Sequence, residues 1–250
     1  PSQLIVAAPA SVEAGSPLAI RIEVKDRLGN RIRDYSPAAA SLTLKIVSPN
    51  GEVLPNYVSL GDISRMVFRE GVAELSVLPR QVGAIVFEVG DEMMNIAGRS
   101  QPVRVTSGPV DHFKVESLSQ GSLRAGEPLK LRVTALDAFG NLVTQYGRDG
   151  SGARLMAQTK SGAGMVPASG VFVPSTIRGE AFHEGVAEIY ALYDKAEAVD
   201  VLVDRLASGA TVRPEVVAAA ATVRAGGTLI SIIGNSPLAM GDARRLTESL

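Results

Sequence analysis

The chain of 250 residues carries 25 Lys+Arg against 26 Asp+Glu, with 46% hydrophobic and 4% aromatic residues, no Cys, no Trp and 2 His. Zero Cys excludes disulfides, thiolate zinc sites, iron–sulfur clusters, covalent haem attachment and cysteine nucleophiles, and so few His leave little material for metal centres or general-base catalysis. A formal net charge of −1 with a pI near 6.2 leaves no electrostatic footprint for nucleic acid or an anionic membrane.

From the N-terminus, Pro17–Asp26 places Leu18, Ile20, Ile22 and Val24 between Ala19, Arg21, Glu23 and Lys25. Apolar residues at a period of two predict a strand with one buried face, and a slip of one residue would carry its charges into the core. Asp26-x-x-Gly29-Asn30 follows as a turn signal: Asp accepts hydrogen bonds from backbone N–H groups just ahead, and Gly supplies a positive φ. Glu70-Gly71 precedes a strand over Val72–Leu78, Ile85, Phe87 and Val89 alternate in another, and Val103-Arg104-Val105 closes the unit.

The same order then returns. Residues 125–146 match 14–35 at 9 of 22 positions with an offset of 111. Leu129, Leu131, Val133 and Ala135 alternate as the earlier strand does, and Asp137, Gly140, Asn141 and Tyr146 stand where Asp26, Gly29, Asn30 and Tyr35 stood. Phe68-Arg69-Glu70-Gly71-Val72-Ala73-Glu74-Leu75 recurs as Phe182-His183-Glu184-Gly185-Val186-Ala187-Glu188-Ile189, now at offset 114. About three residues are thus inserted, with Ser161–Gly164 the obvious place. A third start is visible where Val217–Gly226 echoes Val6–Gly15. It fails where the next Asp-x-x-Gly-Asn should come.

Short strands, frequent turn signals and a period near 110 residues predict antiparallel β-sandwiches. The expected domains are 1–108 and 109–215, followed by 216–250 as a partial third repeat or strand tail. No stretch holds a helical period; Met240–Leu250 is the best helix candidate. No apolar run reaches the length of a membrane span, the nearest being Val216–Ile233, broken by Arg224 and Gly226-Gly227. The chain starts at Pro1, which says nothing about a leader.

The pairing of Ala-Gly-x-Pro-Leu, a strand and Asp-x-x-Gly-Asn, at Ala14–Asn30 and Ala125–Asn141, resembles bacterial immunoglobulin-like tandem repeats of the invasin/intimin and filamin type. The resemblance covers both units and the opening of the third. It implies an all-β chain of tandem Ig-like sandwiches at the cell surface, outside the cell or in the periplasm, with itself or other surface or periplasmic proteins as partners. The missing Cys and Trp separate it from the antibody-type branch.

Asp26 and Asp137 are weak calcium candidates, because Ca²⁺ needs about six or more oxygen ligands and only Asn30 with Asp34, or Asn141, lie close in sequence. The turn role is the stronger expectation for Asp26, Gly29, Asn30, Asp137, Gly140 and Asn141. Tyr35 and Tyr146 are expected as buried anchors with satisfied hydroxyls. His183 aligns with Arg69 and is expected to face solvent; His112 lies in the linker, and no Ser-His-Asp arrangement is suggested. Asp91-Glu92 and Asp200/Asp204 are expected on solvated surfaces. No cofactor and no enzymatic activity are expected.

The apolar stretch with Val216, Val217, Val223, Leu229, Ile230, Ile232 and Ile233 has three competing readings: an extra strand on the second unit, the start of a longer array, or an assembly strand that pairs with a neighbour. The expected role is a structural or adhesive element forming a filament, stalk or scaffold. An accessory module that presents loops to a receptor, glycan or larger protein is the alternative.

Overall fold

A computed structural model describes residues 1–37, 41–60, 66–119, 123–161, 164–206 and 220–222. The chain divides into two compact units, Pro1–Gly108 and Pro109–Leu250. Both are all-β sandwiches, and among the described residues helix is limited to 3₁₀ geometry, as at Gly179–Ala181.

Unit 1 is built from β1 (Gln3–Ala7), β2 (Ser11–Glu13), β3 (Leu18–Lys25), β4 (Leu42–Val47), β5 (Val58–Leu60), β6 (Val72–Pro79), β7 (Gly83–Asp91), β8 (Ile96–Arg99) and β9 (Val103–Thr106). One sheet has the order β1-β3-β6-β5 and the other β2-β9-β7-β4, with β8 also paired to β7. The β2–β9 pair is parallel, a departure from the purely antiparallel expectation. It arises because the first strand leaves one sheet after Ala7 and joins the other, so both edges are covered by the same chain end.

Unit 2 contains β10 (His112–Ser117), β11 (Pro128–Leu136), β12 (Gly152–Ser161), β13 (Gly164–Pro167), β14 (Phe172–Val173), β15 (Thr176–Ile177), β16 (Val186–Tyr193), β17 (Ala198–Leu206) and β18 (Ala220–Thr222). Its sheets run β10-β11-β16-β14 and β13-β12-β17-β18, with β15 on β12. β12 pairs with β13 over Gln158↔Pro167 to Ser161↔Gly164, whereas unit 1 closes the equivalent hairpin with the bridge Val47↔Val53 and bonds from Ser48 N–H to the Glu52 carbonyl and from Leu54 N–H to the Ile46 carbonyl.

The alternating residues form the cores. Leu18, Ile20, Ile22 and Val24 are buried with Leu4, Val6, Ile85, Phe87 and Val89. Leu129, Leu131, Val133 and Ala135 are buried with Leu155, Val199, Val201 and Val203. Burial of one such aliphatic side chain contributes about 1.5–3 kcal/mol, so the period of two in each strand fixes which face turns inward.

The two recurring sequence blocks meet in each unit. Glu70-Gly71 and Glu184-Gly185 are two-residue hairpin loops with positive φ at both positions, 50° and 74° in the first, 49° and 80° in the second. The Gly71 carbonyl accepts from Val24 N–H at 3.0 Å, and the Gly185 carbonyl from Ala135 N–H at 2.9 Å. A Cβ on Gly71 would stand 2.2 Å from the Ile32 carbonyl oxygen, and one on Gly185 2.4 Å from that of Val143. Glycine is required there by both conformation and space.

Gly185→Ala is therefore expected to destabilise unit 2 by at least about 1–3 kcal/mol in urea unfolding, the cost of a strained backbone before the clash is added. Glu184→Gly, which relieves a left-handed non-glycine residue, should be neutral or stabilising. Equal effects of the two substitutions would contradict the packing described.

Candidate functional site

The Asp-x-x-Gly-Asn turns are closed by their own side chains. Asp26 Oδ1 accepts from the N–H groups of Leu28 at 2.8 Å and Asn30 at 2.9 Å, and Asp26 Oδ2 accepts from Asn30 Nδ2 at 3.1 Å. Asp137 Oδ1 accepts from the N–H groups of Phe139 and Asn141, each at 2.9 Å, while Asn141 Nδ2 donates to both carboxylate oxygens. Gly29 and Gly140 take φ of 85° and 80°. The bonds from Asn30 come first in holding the Asp26 carboxyl below the usual range. Both carboxylates point into their own loops, and among the described residues no group of three or more His, Asp or Glu gathers as a metal site.

Tyr35 and Tyr146 stand on the loops that follow these turns, and both rings are buried. Each meets the phenylalanine of the other recurring block edge-on: Tyr35–Phe68 and Tyr146–Phe182 both have centroids 4.8 Å apart, with interplanar angles of 86° and 89°. The hydroxyls find different partners. Tyr146 donates to the Gly152 carbonyl at 2.5 Å, and burial pushes its hydroxyl up to about 12. Tyr35 donates to Asp91 Oδ2 at 2.5 Å.

Asp91 corrects the sequence expectation. It is 1% exposed at the end of β7 and not in a solvated turn. Burial pushes its carboxyl up, but hydrogen bonds from Tyr35, Ser41 and the N–H groups of Met94 and Met93 outweigh it and leave the group below its ordinary range. The repeat gave no signal for this site, since the position equivalent to Asp91 in the second copy is Arg205. Beside the pair lies a cavity of about 450 Å³ lined by Ile32, Tyr35, Asp91, Met93 and Met94.

Asp200 and Asp204 also depart from a fully solvated surface. Both are half-buried on β17, and burial raises both carboxyls. In unit 2 the Tyr193 hydroxyl donates to Glu197 Oε1 at 2.6 Å, and the N–H groups of Ser169 and Gly170 donate to the same oxygen. This pins the loop ahead of β14 to the end of β16. It is a structural lock that sequence reading missed, since Glu197 has no counterpart motif.

The two histidines stand in different settings. His183 is exposed beside the Glu184-Gly185 loop, while His112 is buried at the start of β10 with Nδ1 3.1 Å from Asp111. Val216, Val217, Val223, Leu229, Ile230, Ile232 and Ile233, like the helix candidate Met240–Leu250, lie outside the described residues. Within the same stretch, Ala220–Thr222 pairs antiparallel with β17 of its own chain, Ala198↔Thr222 to Asp200↔Ala220. Among the described residues no helix is long and apolar enough to cross a membrane.

No family model and no curated protein matches the chain. Among solved structures it is similar to domains 5-6 of the S-layer protein SbsC, at 16% identity over 92% of this chain and 97% of that one, with a TM-score of 0.29. It is also similar to the D00-D0 domain of Intimin, at 16% identity over 92% and 100% with a TM-score of 0.38. A third is the D0-D1 domain of Intimin, at 14% identity over 91% and 97% with a TM-score of 0.28.

Tyr35→Phe should cost unit 1 about 1–3 kcal/mol, because it withdraws a donor from a buried carboxylate. Asp91 is depressed in the folded state, so its contribution is full above the ordinary Asp value of about 3.9 and is lost as pH falls through the folded value. Acid titration of unfolding should show a shallower dependence in the variant. Asp200 has the opposite sign: its folded value is raised, so stability falls as pH rises past about 3.9 and through the folded value. Asp200→Asn should stabilise unit 2 at neutral pH, with the gain vanishing in acid. A variant less stable than the parent at neutral pH would contradict this.

Proposed function

We propose that the chain is a non-enzymatic structural or adhesive element of a bacterial surface, building a filament, stalk or scaffold from Ig-like sandwiches in repeated contact. The observation that carries this reading is where the recurring polar residues go. Asp26 and Asp137 close their own turns, and Tyr35 and Tyr146 lock loops to hairpins. The chemistry that repeats is spent on holding shape. Contacts between copies that do not close into a ring generate fibres, so such units suit extended assembly.

Strand addition by the C-terminal segment is the finer form of this proposal. Ala220–Thr222 already occupies β17 of its own chain, so addition to a neighbour would be an exchange in which the strand leaves one copy and takes the same register on the next. Deleting residues 216–250 is expected to abolish assembly, and a truncated chain that still polymerises overturns the exchange.

A second reading, an accessory module that presents loops to a receptor, glycan or larger protein, is favoured by one observation. Met93 and Met94 are 76% and 48% exposed beside the cavity at Tyr35 and Asp91, and exposed methionines suit adaptable contact surfaces. Size-exclusion chromatography with negative-stain microscopy separates the two. End-to-end polymers are expected, whereas a monodisperse monomer across the concentration range favours the module and contradicts the scaffold.

A further inference from the structure

The methionines among the described residues stand in very different settings. Met156 is buried, Met165 is half-buried on β13, and Met66 packs against the core of unit 1. Met93 and Met94 are 76% and 48% exposed, side by side in the turn between β7 and β8. A thioether in water is open to two-electron oxidants, whereas one packed among other side chains is shielded by them.

The turn holds its shape without these two side chains. Asp91 Oδ1 accepts from the N–H groups of Met93 at 3.0 Å and Met94 at 3.2 Å. Glu92 N–H donates to the Ser41 carbonyl at 2.9 Å, and Asp91 pairs with Ile96 across the hairpin. These bonds come from the backbone and from Asp91, so chemistry at the sulfurs of Met93 and Met94 leaves them intact. The thioether side chains instead line the cavity of about 450 Å³ at Tyr35 and Asp91, where Ile32 and Pro37 supply more apolar wall.

We propose that Met93 and Met94 form an oxidation site, at which hydroperoxides change the surface of unit 1 without disturbing its fold. The sulfur lone pair attacks one peroxide oxygen, so that an S–O bond forms as the O–O bond breaks. Sulfur is oxidised by two electrons and the peroxide is reduced. With hydrogen peroxide the proton of the transferred oxygen passes to the leaving hydroxide, which departs as water. The product sulfoxide is polar and chiral, and it replaces a flexible apolar side chain. An apolar stretch of the cavity wall thus becomes a hydrogen-bond acceptor. In a core the same reaction would break packing; at this turn it falls on side chains that the fold does not use. Exposure also leaves the sulfoxide open to methionine sulfoxide reductases, so the change is reversible in kind. The site rests on the exposure and hydrogen bonding of one turn, not on either reading of the chain's role.

The test treats the full chain with dilute hydrogen peroxide at neutral pH and reads sulfoxide at each methionine by peptide mass spectrometry. Oxygen uptake at Met93 and Met94 is expected to run severalfold faster than at Met66, Met156 or Met165. Any of those three oxidising as fast as Met94 overturns the proposal. Protein oxidised at Met93 and Met94 alone should keep the urea midpoint of untreated protein. A lower midpoint means that the two side chains support the fold, and this also overturns it. In a chain carrying Met93→Leu and Met94→Leu, the fast uptake should vanish with the midpoint unchanged. Fast uptake that persists places the reactive sulfur elsewhere and contradicts the assignment.

Discussion

In each unit a glycine backbone lies directly against the carbonyl of a neighbouring loop, and the fold around it depends on that approach. Gly71 sits under Ile32 and Gly185 under Val143, too close in both cases for any side chain. The contact brings the hairpin that opens β6 or β16 against the loop that leaves β3 or β11. Tyr35 then meets Phe68, and Tyr146 meets Phe182, edge-on at the same separation. Two stretches far apart in sequence are joined by one junction of backbone, glycine and aromatic ring.

Much of the architecture was legible because it rests on local, periodic signals. Leu18–Val24 and Leu129–Ala135 alternate strictly, and their burial follows that alternation. Asp26 and Asp137 make the turns that their spacing implies. What escaped was fixed by contacts between distant residues. Asp91 looked like half of a surface carboxylate pair, yet Tyr35, 56 residues earlier, holds it in the interior. Glu197 locks a loop through Tyr193 with no recurring pattern to mark it. The echo of the first strand at Val217–Gly226 left three readings open, and Ala220–Thr222 pairs with β17 of the second unit.

The two copies differ most where they are not constrained by the shared junction. Unit 1 keeps a buried Tyr–Asp pair beside a cavity and a charged outer sheet face. Unit 2 replaces the acid by a backbone carbonyl as the tyrosine's acceptor, and the charged pair by Met156 and Leu202. The two sandwiches thus share the glycine and aromatic junction and differ at their surfaces.

The central claim is that the tyrosine–phenylalanine contact couples the two recurring blocks. A double-mutant cycle in unit 2, with Tyr146→Leu and Phe182→Leu alone and together, measures that coupling apart from simple loss of burial. The account predicts a coupling energy of about 0.5–1.5 kcal/mol, the range for edge-to-face aromatic pairs. Additive losses, with a coupling near zero, would contradict it.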